Sequence, residues 1–217
     1  MSAQRTVLVL IRHGETDWNV EGRHQGQLDV PLNARGLAQS RAVAERLRGC
    51  GASVILSSDL LRALQTARAV AEAVGLPVAG SALLRERAFG RWQSLTSREI
   101  DERYPGDRAA YYADRWLYRP PGGESHEELW ERSRRAAEWC LGKAASKLAL
   151  VVTHGGPINC ILGQSLGHPG GFEPAVKVSN CSLSVVAYAG ARASIWKAND
   201  SAHAADASRE EYDWDAR

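Results

Sequence analysis

From Thr6 to Ile11 the chain reads TVLVLI, with no polar residue after the first. A strand wetted on one face alternates apolar and polar positions, whereas a continuous apolar run predicts a strand covered on both faces, as in a parallel sheet. A second such run is LALVVT, from Leu148 to Thr153. Shorter strands are predicted at Val54–Leu56, near Pro77–Leu84 and at Ser182–Tyr188. Between them the apolar period becomes helical. Asn33 caps one helix, with Leu37, Ala44 and Leu47 on one face and Gly49 and Gly51 past its end. SSDLLRALQTARAVAEAVGLP predicts another, capped by Ser58 or Asp59. Its stripe is Leu60, Leu64, Ala67, Ala71 and Val74, and Gly75 and Pro77 stop it. Two more helices are expected from Ser125 to about Leu141 and from Pro157 to about Leu166, and a polar loop from Gly14 to Pro31. Strand and helix alternate, which predicts an α/β fold with a mostly parallel sheet.

Two stretches depart from this rhythm. The segment from Arg87 to Pro121 is crowded with aromatics: Phe89, Trp92, Tyr104, Tyr111, Tyr112, Trp116 and Tyr118. It reads either as an insertion covering a site or as a satellite hydrophobic cluster on the main core. The last stretch, Asn199 to Arg217, is polar and charged and reads as a loosely held tail. The expectation is one domain over residues 1–217, with a covering insertion at about 87–121 and the tail at about 199–217.

Composition narrows the class. At 217 residues the chain can bury roughly 70% of its unfolded surface, so it needs no disulfide or metal staple. Charged residues make up 24% and the net charge is +2, with no long Lys/Arg block, so neither a nucleic-acid nor a membrane-surface partner is expected. Cys50, Cys140, Cys160 and Cys181 form no CxxC pair and are expected to be free, mostly buried thiols in a reducing compartment. The run Val7–Ile11 is too short for a signal-peptide core, and no stretch approaches a membrane span of about 20 apolar residues. The expected location is the cytoplasm.

The chemistry lies where the buried strands stop. TVLVLI runs into Arg12-His13-Gly14, and LALVVT into His154-Gly155-Gly156. In open α/β sheets ligands sit outside the carboxyl ends of strands, so His13 and His154 face one crevice if their strands are neighbours. Arg12 adds a fixed cation, and Arg62 enters on the first turn of the helix after Val54–Leu56. Arg12, His13, Arg62 and His154 have the composition of a phosphate pocket, for which the bidentate guanidinium is suited. Neighbouring arginines disfavour the imidazolium, so a neutral ring nitrogen could attack phosphorus and carry the phosphoryl group. One ring nitrogen must be fixed as N–H by a partner that the sequence does not show. Glu86, in LLRERAFG, could serve as general acid, because a phosphate dianion nearby should raise its pKa. A lone histidine after a strand is usually structural, and a strand-end glutamate is usually a solvated charge. The repeated ending is what sets His13 and His154 apart. No HxH or HxxxH spacing supports zinc, and no metal is expected. His24, His126, His168 and His203 read as surface or capping residues.

Taken in order, LIRHGETDWN, SSDLLRALQTA, LRERAFG and VVTHGG resemble the histidine phosphatase superfamily, also called phosphoglycerate mutase-like, from about Thr6 to Tyr188. The resemblance implies a three-layer α/β/α sandwich and a metal-independent reaction without cofactor. It implies His13 as the phosphorylated nucleophile, Arg12, Arg62 and His154 in the phosphate pocket, and Glu86 as proton donor. It places Asn19, Gln25, Gly26, Arg87 and Gly155 at phosphate or substrate. The family holds both mutases and phosphatases. Arg87 matches a mutase substrate arginine, but Phe89 and Ser97 stand at that branch's tyrosine and lysine positions, and the compact PPGGESHEEL resembles the phosphatase branch. The expectation is therefore a phosphatase of small phosphomonoesters, such as a phosphorylated sugar acid like glucosyl-3-phosphoglycerate, a phosphoserine or a ribazole phosphate. The alternative is a bisphosphoglycerate-dependent phosphoglycerate mutase. Aromatics of the 87–121 segment, with Arg87, Arg91 and Arg115, are expected to select the substrate. A homodimer through a sheet edge or the Leu37–Leu47 helix is left open.

Overall fold

The computed structural model describes residues 5–170 and 176–207. In chain order the elements are β1 (Thr6–Arg12), α1 (Asp17–Val20), α2 (Ala34–Leu47), β2 (Val54–Ser57), α3 (Leu61–Val74), β3 (Val78–Gly80), α4 (Ser97–Arg103), α5 (Asp107–Ala113), α6 (His126–Ala144), β4 (Leu148–Thr153), α7 (Gly155–Ser165), β5 (Leu183–Ala189) and β6 (Arg192–Asp200). The strands form one sheet in the order β3-β2-β4-β1-β5-β6. The pairs β3–β2, β2–β4 and β4–β1 are parallel, while β5 runs antiparallel to both β1 and β6.

The alternation along β1 explains its unbroken apolar run. Val9 and Ile11 pack with Val43, Ala44 and Leu47 of α2 and with Ala63, Ala67 and Val70 of α3. Leu8 and Leu10 point the other way, to Ala136, Cys140 and Ala144 of α6 and Ile158, Ile161 and Leu162 of α7. Helices thus cover both faces, giving the expected three layers, and every side chain from Leu8 to Ile11 is buried. All four cysteines are free, three of them buried. Among the described residues no helix is long and apolar enough to cross a membrane.

Several expectations change. Leu37 is 40% exposed, because α2 turns Gly36, Gln39, Ser40 and Val43 inward instead. The reason is a backbone contact: a Cβ on Gly14 would lie 2.5 Å from the Gly36 carbonyl oxygen, and one on Gly36 would lie 2.0 Å from that of Glu15. On α3 the buried face is Arg62, Ala63, Thr66, Ala67 and Val70, while Leu64, Ala71 and Val74 are only half-buried. Neither Ser58 nor Asp59 is its N-cap, which is Leu60. Asp59 is committed to Arg85, and the Ser58 hydroxyl accepts a hydrogen bond from Leu60 N–H at 3.3 Å. The supposed tail begins inside a strand: Asn199 and Asp200 close β6, and Ala202–Ala207 turn as a 3-10 helix. The rest of that stretch, 208–217, lies outside the described residues.

The 87–121 segment holds α4 and α5 around its own buried cluster of Trp92, Leu95 and Ile100, against which Phe89, Tyr104, Tyr111 and Tyr118 pack. It is laced to the Gly14–Pro31 loop by a strand-like exchange. His24 N–H donates to the Leu95 carbonyl at 3.0 Å, and Ser94 N–H to that of His24 at 2.8 Å.

Candidate active site

Register alone brings the two histidines together. Arg12 of β1 pairs with Thr153 of β4, so His13 and His154, the next residues, leave neighbouring parallel strands side by side. Strands lie about 4.8 Å apart in a sheet, and the imidazole centroids are 5.0 Å apart, inclined at 58°. The His13 main chain is fixed from both flanks. Its N–H donates to the Thr153 carbonyl at 3.0 Å, and its carbonyl accepts from Asn180 Nδ2 at 2.9 Å and from Cys181 N–H at 3.3 Å.

The side chain of His13 has the partner that the sequence could not show. Nδ1 lies 2.7 Å from the Gly14 carbonyl oxygen. A carbonyl can only accept, so Nδ1 carries the proton and Nε2 carries the lone pair. Burial first, then the charges of Arg62 and Arg12, hold the His13 pKa well below 6.5. His154 is held down in the same direction by burial and then Arg62, and its Nε2 is 2.8 Å from the Ser58 hydroxyl. Both rings are therefore neutral at physiological pH.

Arg62 is 1% exposed. Its Nη1 and Nη2 donate to the carbonyls of Leu28 and Gly26 at 2.9 and 2.8 Å, which aims the fork across the Gly14–Pro31 loop. Burial lowers its pKa to about 10, so it remains a cation. Arg12 Nη1 donates to the Val178 carbonyl. Glu86 follows a 3-10 turn, Ala82–Leu84, rather than β3 itself. Its Oε1 accepts from Arg87 N–H at 2.9 Å, and its Oε2 from Gly156 N–H, in the first turn of α7, at 3.3 Å.

These groups surround a cavity of about 150 Å³ lined by Arg12, His13, Asn19, Arg23, His24, Gln25, Gly26, Arg62, Glu86 and Phe89. Seven of the residues expected at the site are thus in one wall. His154 stands behind His13 rather than in the lining, and Gly155 opens α7 beside Arg12, its Cβ position 4.0 Å from Arg12 Nε. Asn19 caps its own loop, Oδ1 accepting from Thr16 N–H at 3.1 Å. Arg87 is not in the lining. It is 2% exposed, and its Nε donates to the Glu124 carbonyl at 2.8 Å while Nη1 meets His126 Nε2. Arg91 and Arg115 are also outside the lining: Arg91 pairs with Asp107, and Arg115 lies over Tyr112 at 4.8 Å.

Two histidines depart from the expected surface or capping role. His24 lines the cavity and packs on Phe89 at 4.9 Å; burial, then Arg108 and Arg87, lower its pKa to about 4. His126 is buried between Arg87 and Tyr111, and burial and Arg87 lower its pKa to about 3. Neither carries a local sequence signal, because the groups that surround them, Phe89 for His24 and Arg87 and Tyr111 for His126, belong to the 87–121 segment and meet them only in the folded chain. His168 is exposed, as expected. A larger groove of about 930 Å³ lies beyond Glu124 and Arg132, and its walls contain no imidazole. Among the described residues no three His, Cys, Asp or Glu side chains gather as a metal-binding set.

Comparison with known proteins gives the family and the fold. Residues 8–201 match the histidine phosphatase superfamily (branch 1). The chain is 38% identical over 179 residues to "Probable phosphoglycerate mutase GpmB" of Salmonella paratyphi C, covering 82% of this chain and 83% of that protein. The native structure of mycobacterial glucosyl-3-phosphoglycerate phosphatase superposes with a TM-score of 0.81 at 34% identity, over 90% of this chain and 99% of that one. The α-ribazole phosphatase from Shigella flexneri gives a TM-score of 0.83 at 28% identity, over 90% and 96%.

Proposed function

The chain belongs to the histidine phosphatase superfamily, branch 1, and on that footing we propose that it is a metal-independent phosphatase of small phosphomonoesters that works through phosphorylated His13. The observation that carries this reading is the fixed tautomer of His13, whose Nε2 lone pair stands beside a cavity walled by Arg12, Arg62 and Glu86.

In the proposed reaction Nε2 attacks phosphorus, and the bond from phosphorus to the ester oxygen breaks. The leaving alkoxide takes the proton of the Glu86 carboxyl. The transition state spreads charge over the equatorial oxygens, where Arg12 and Arg62 stabilise it. Glu86, now a carboxylate, takes a proton from water as the water oxygen attacks phosphohistidine. The N–P bond breaks, its electron pair returns to Nε2, and inorganic phosphate leaves. His154, neutral and set against His13, supplies a second imidazole without adding a charge.

A phosphorylated sugar acid is the preferred substrate class, supported by the 34% identical glucosyl-3-phosphoglycerate phosphatase. Hydrolysis is favoured over phosphate transfer within phosphoglycerate by the position of Arg87, which is bound into the cover and does not line the cavity. The mutase reading stands second, supported by the 38% identical Salmonella relative, which is named a probable phosphoglycerate mutase.

The test is phosphate release, with a chelator present, from p-nitrophenyl phosphate, glucosyl-3-phosphoglycerate, α-ribazole phosphate and 3-phosphoglycerate, with His13→Ala in parallel. Release that disappears in His13→Ala, together with an acid-labile phosphoenzyme, is the expected result. Bisphosphoglycerate-primed isomerisation of phosphoglycerate without release would overturn the phosphatase reading in favour of the mutase.

A further inference from the structure

We propose that Arg132 is a positioning residue that holds the Glu86 carboxyl where it can protonate the leaving group, a proposal that rests on the reading of Glu86 above. Arg132 lies on α6, outside the cavity lining, and its side chain is only 12% exposed. All five of its N–H donors have an acceptor. Nε donates to Glu124 Oε1 at 2.8 Å, and Nη2 to Glu124 Oε2 at 2.8 Å. Nη1 donates to the carbonyls of Leu83 and Arg85 at 2.9 and 2.6 Å, and Nη2 also to the carbonyl of Glu86 at 3.1 Å.

The three carbonyls belong to the turn that ends at the proposed acid. Glu124, fixed by Arg132, holds the other side: Oε2 accepts from Ala88 N–H at 3.2 Å, and Glu124 N–H donates to the Ala88 carbonyl at 2.8 Å. The Glu124–Arg132 pair therefore grips the chain before and after Glu86. The segment 83–88 lies in no strand, so it lacks the ladder bonds that fix His13 and His154. A guanidinium fork suits this task because its donors are coplanar and rigidly spaced. An ammonium has three donors at one point and cannot span the same acceptors.

A role through Glu86 has a signature that a merely structural role lacks. An alkyl phosphomonoester expels an alkoxide that must be protonated as it leaves. p-Nitrophenyl phosphate expels a stable phenolate that needs no acid. The ratio of kcat/KM for 3-phosphoglycerate, or another alkyl ester that the wild type cleaves, to kcat/KM for p-nitrophenyl phosphate isolates the acid step. This ratio does not depend on the fraction of enzyme that is folded. In Arg132→Ala the ratio is expected to fall about 10- to 100-fold, part of the roughly 100- to 10,000-fold that general acid catalysis contributes, because Glu86 is loosened and not removed. Arg132→Lys should fall with it, and Glu124→Gln should shift the ratio in the same direction while keeping the side chain's shape. A loss equal on both esters, no loss, or full recovery in Arg132→Lys would overturn the proposal while leaving the phosphatase reading intact. A wild type that cleaves neither ester would overturn that reading and this proposal together.

Discussion

The floor of the cavity and the segment from Arg87 to Pro121 face the same 150 Å³ space, but they are held by different means. His13, Arg62 and His154 are 3%, 1% and 0% exposed. They stand where β1, β4 and the start of α3 deliver them, and the β1–β4 register sets the spacing of the imidazoles. The cover packs on itself, around Trp92, Leu95 and Ile100. Its ion pairs, such as Arg98–Glu102 and Arg108–Asp101, face water and contribute little. The floor can thus be altered only by disturbing the sheet, whereas the cover can change without moving the nucleophile. This is the arrangement expected of a fold that keeps one reaction and varies its substrate.

The largest test of that contrast lies on α7. A Cβ at position 156 would sit 2.3 Å from Glu86 Oε1, the far end of a side chain that can swing away. Gly156→Ala should therefore lower kcat/KM for an alkyl phosphate about 100-fold, the effect of misplacing a reacting group by about 1 Å, while the tight approach to buried Leu129 Cδ2, at 3.1 Å, lowers Tm only slightly. Unchanged activity would mean that the proposed acid tolerates displacement. Next in size is Trp92→Ala. Trp92 is 3% exposed, and its Nε1 donates to Asp107 Oδ2 at 2.9 Å. Removing it should cost about 3–5 kcal/mol in urea unfolding. With p-nitrophenyl phosphate, KM should then change more than kcat. A collapse of kcat would show that cover and floor are one unit.

The smallest effect is in the pH dependence of stability. Burial, first among the causes, lowers the pKa of His13, His154, His24 and His126 in the folded chain. A base with a lowered folded pKa binds fewer protons folded than unfolded, so its contribution is present above 6.5 and is lost as pH falls below it. The window reaches down to about 4 for His24 and about 3 for His126. Each imidazole adds a slope of up to about 1.4 kcal/mol per pH unit. His126→Gln, on the cover side, should flatten the decline of Tm between pH 6.5 and 4 without altering activity toward p-nitrophenyl phosphate at pH 7. An unchanged slope would contradict the burial of a neutral His126.

The floor was readable in the sequence because a strand covered on both faces has to be apolar throughout, so a histidine and an arginine at its end stand out. The same logic failed wherever polarity was buried for the site's sake. On α3, Arg62 and Thr66 face inward, Thr66 accepting from Gly14 N–H at 3.0 Å, so the buried face is rotated away from a purely apolar stripe, which keeps Ala67 buried but leaves Leu64, Ala71 and Val74 half-buried. No strand is expected at β6, and its last two residues, Asn199 and Asp200, fall in the supposed tail, because it is an edge strand with Arg192, Ser194, Trp196 and Lys197 exposed. Arg87 was assigned to the substrate from resemblance. Only the folded chain shows it spent on Glu124 and His126. His24 and His126 depend on contacts between distant segments, which no local pattern encodes.

The place of β1 in the sheet has a kinetic consequence. It lies between β4 and β5, with ladder bonds on both sides. Local opening spares such strands, so the amide protons of Leu8–Ile11 should exchange with deuterated solvent only when the whole chain unfolds, while those of the cover exchange earlier. The proposed nucleophile is therefore anchored to the most slowly exchanging part of the protein, and breathing of the cover can admit and release ligands without loosening it.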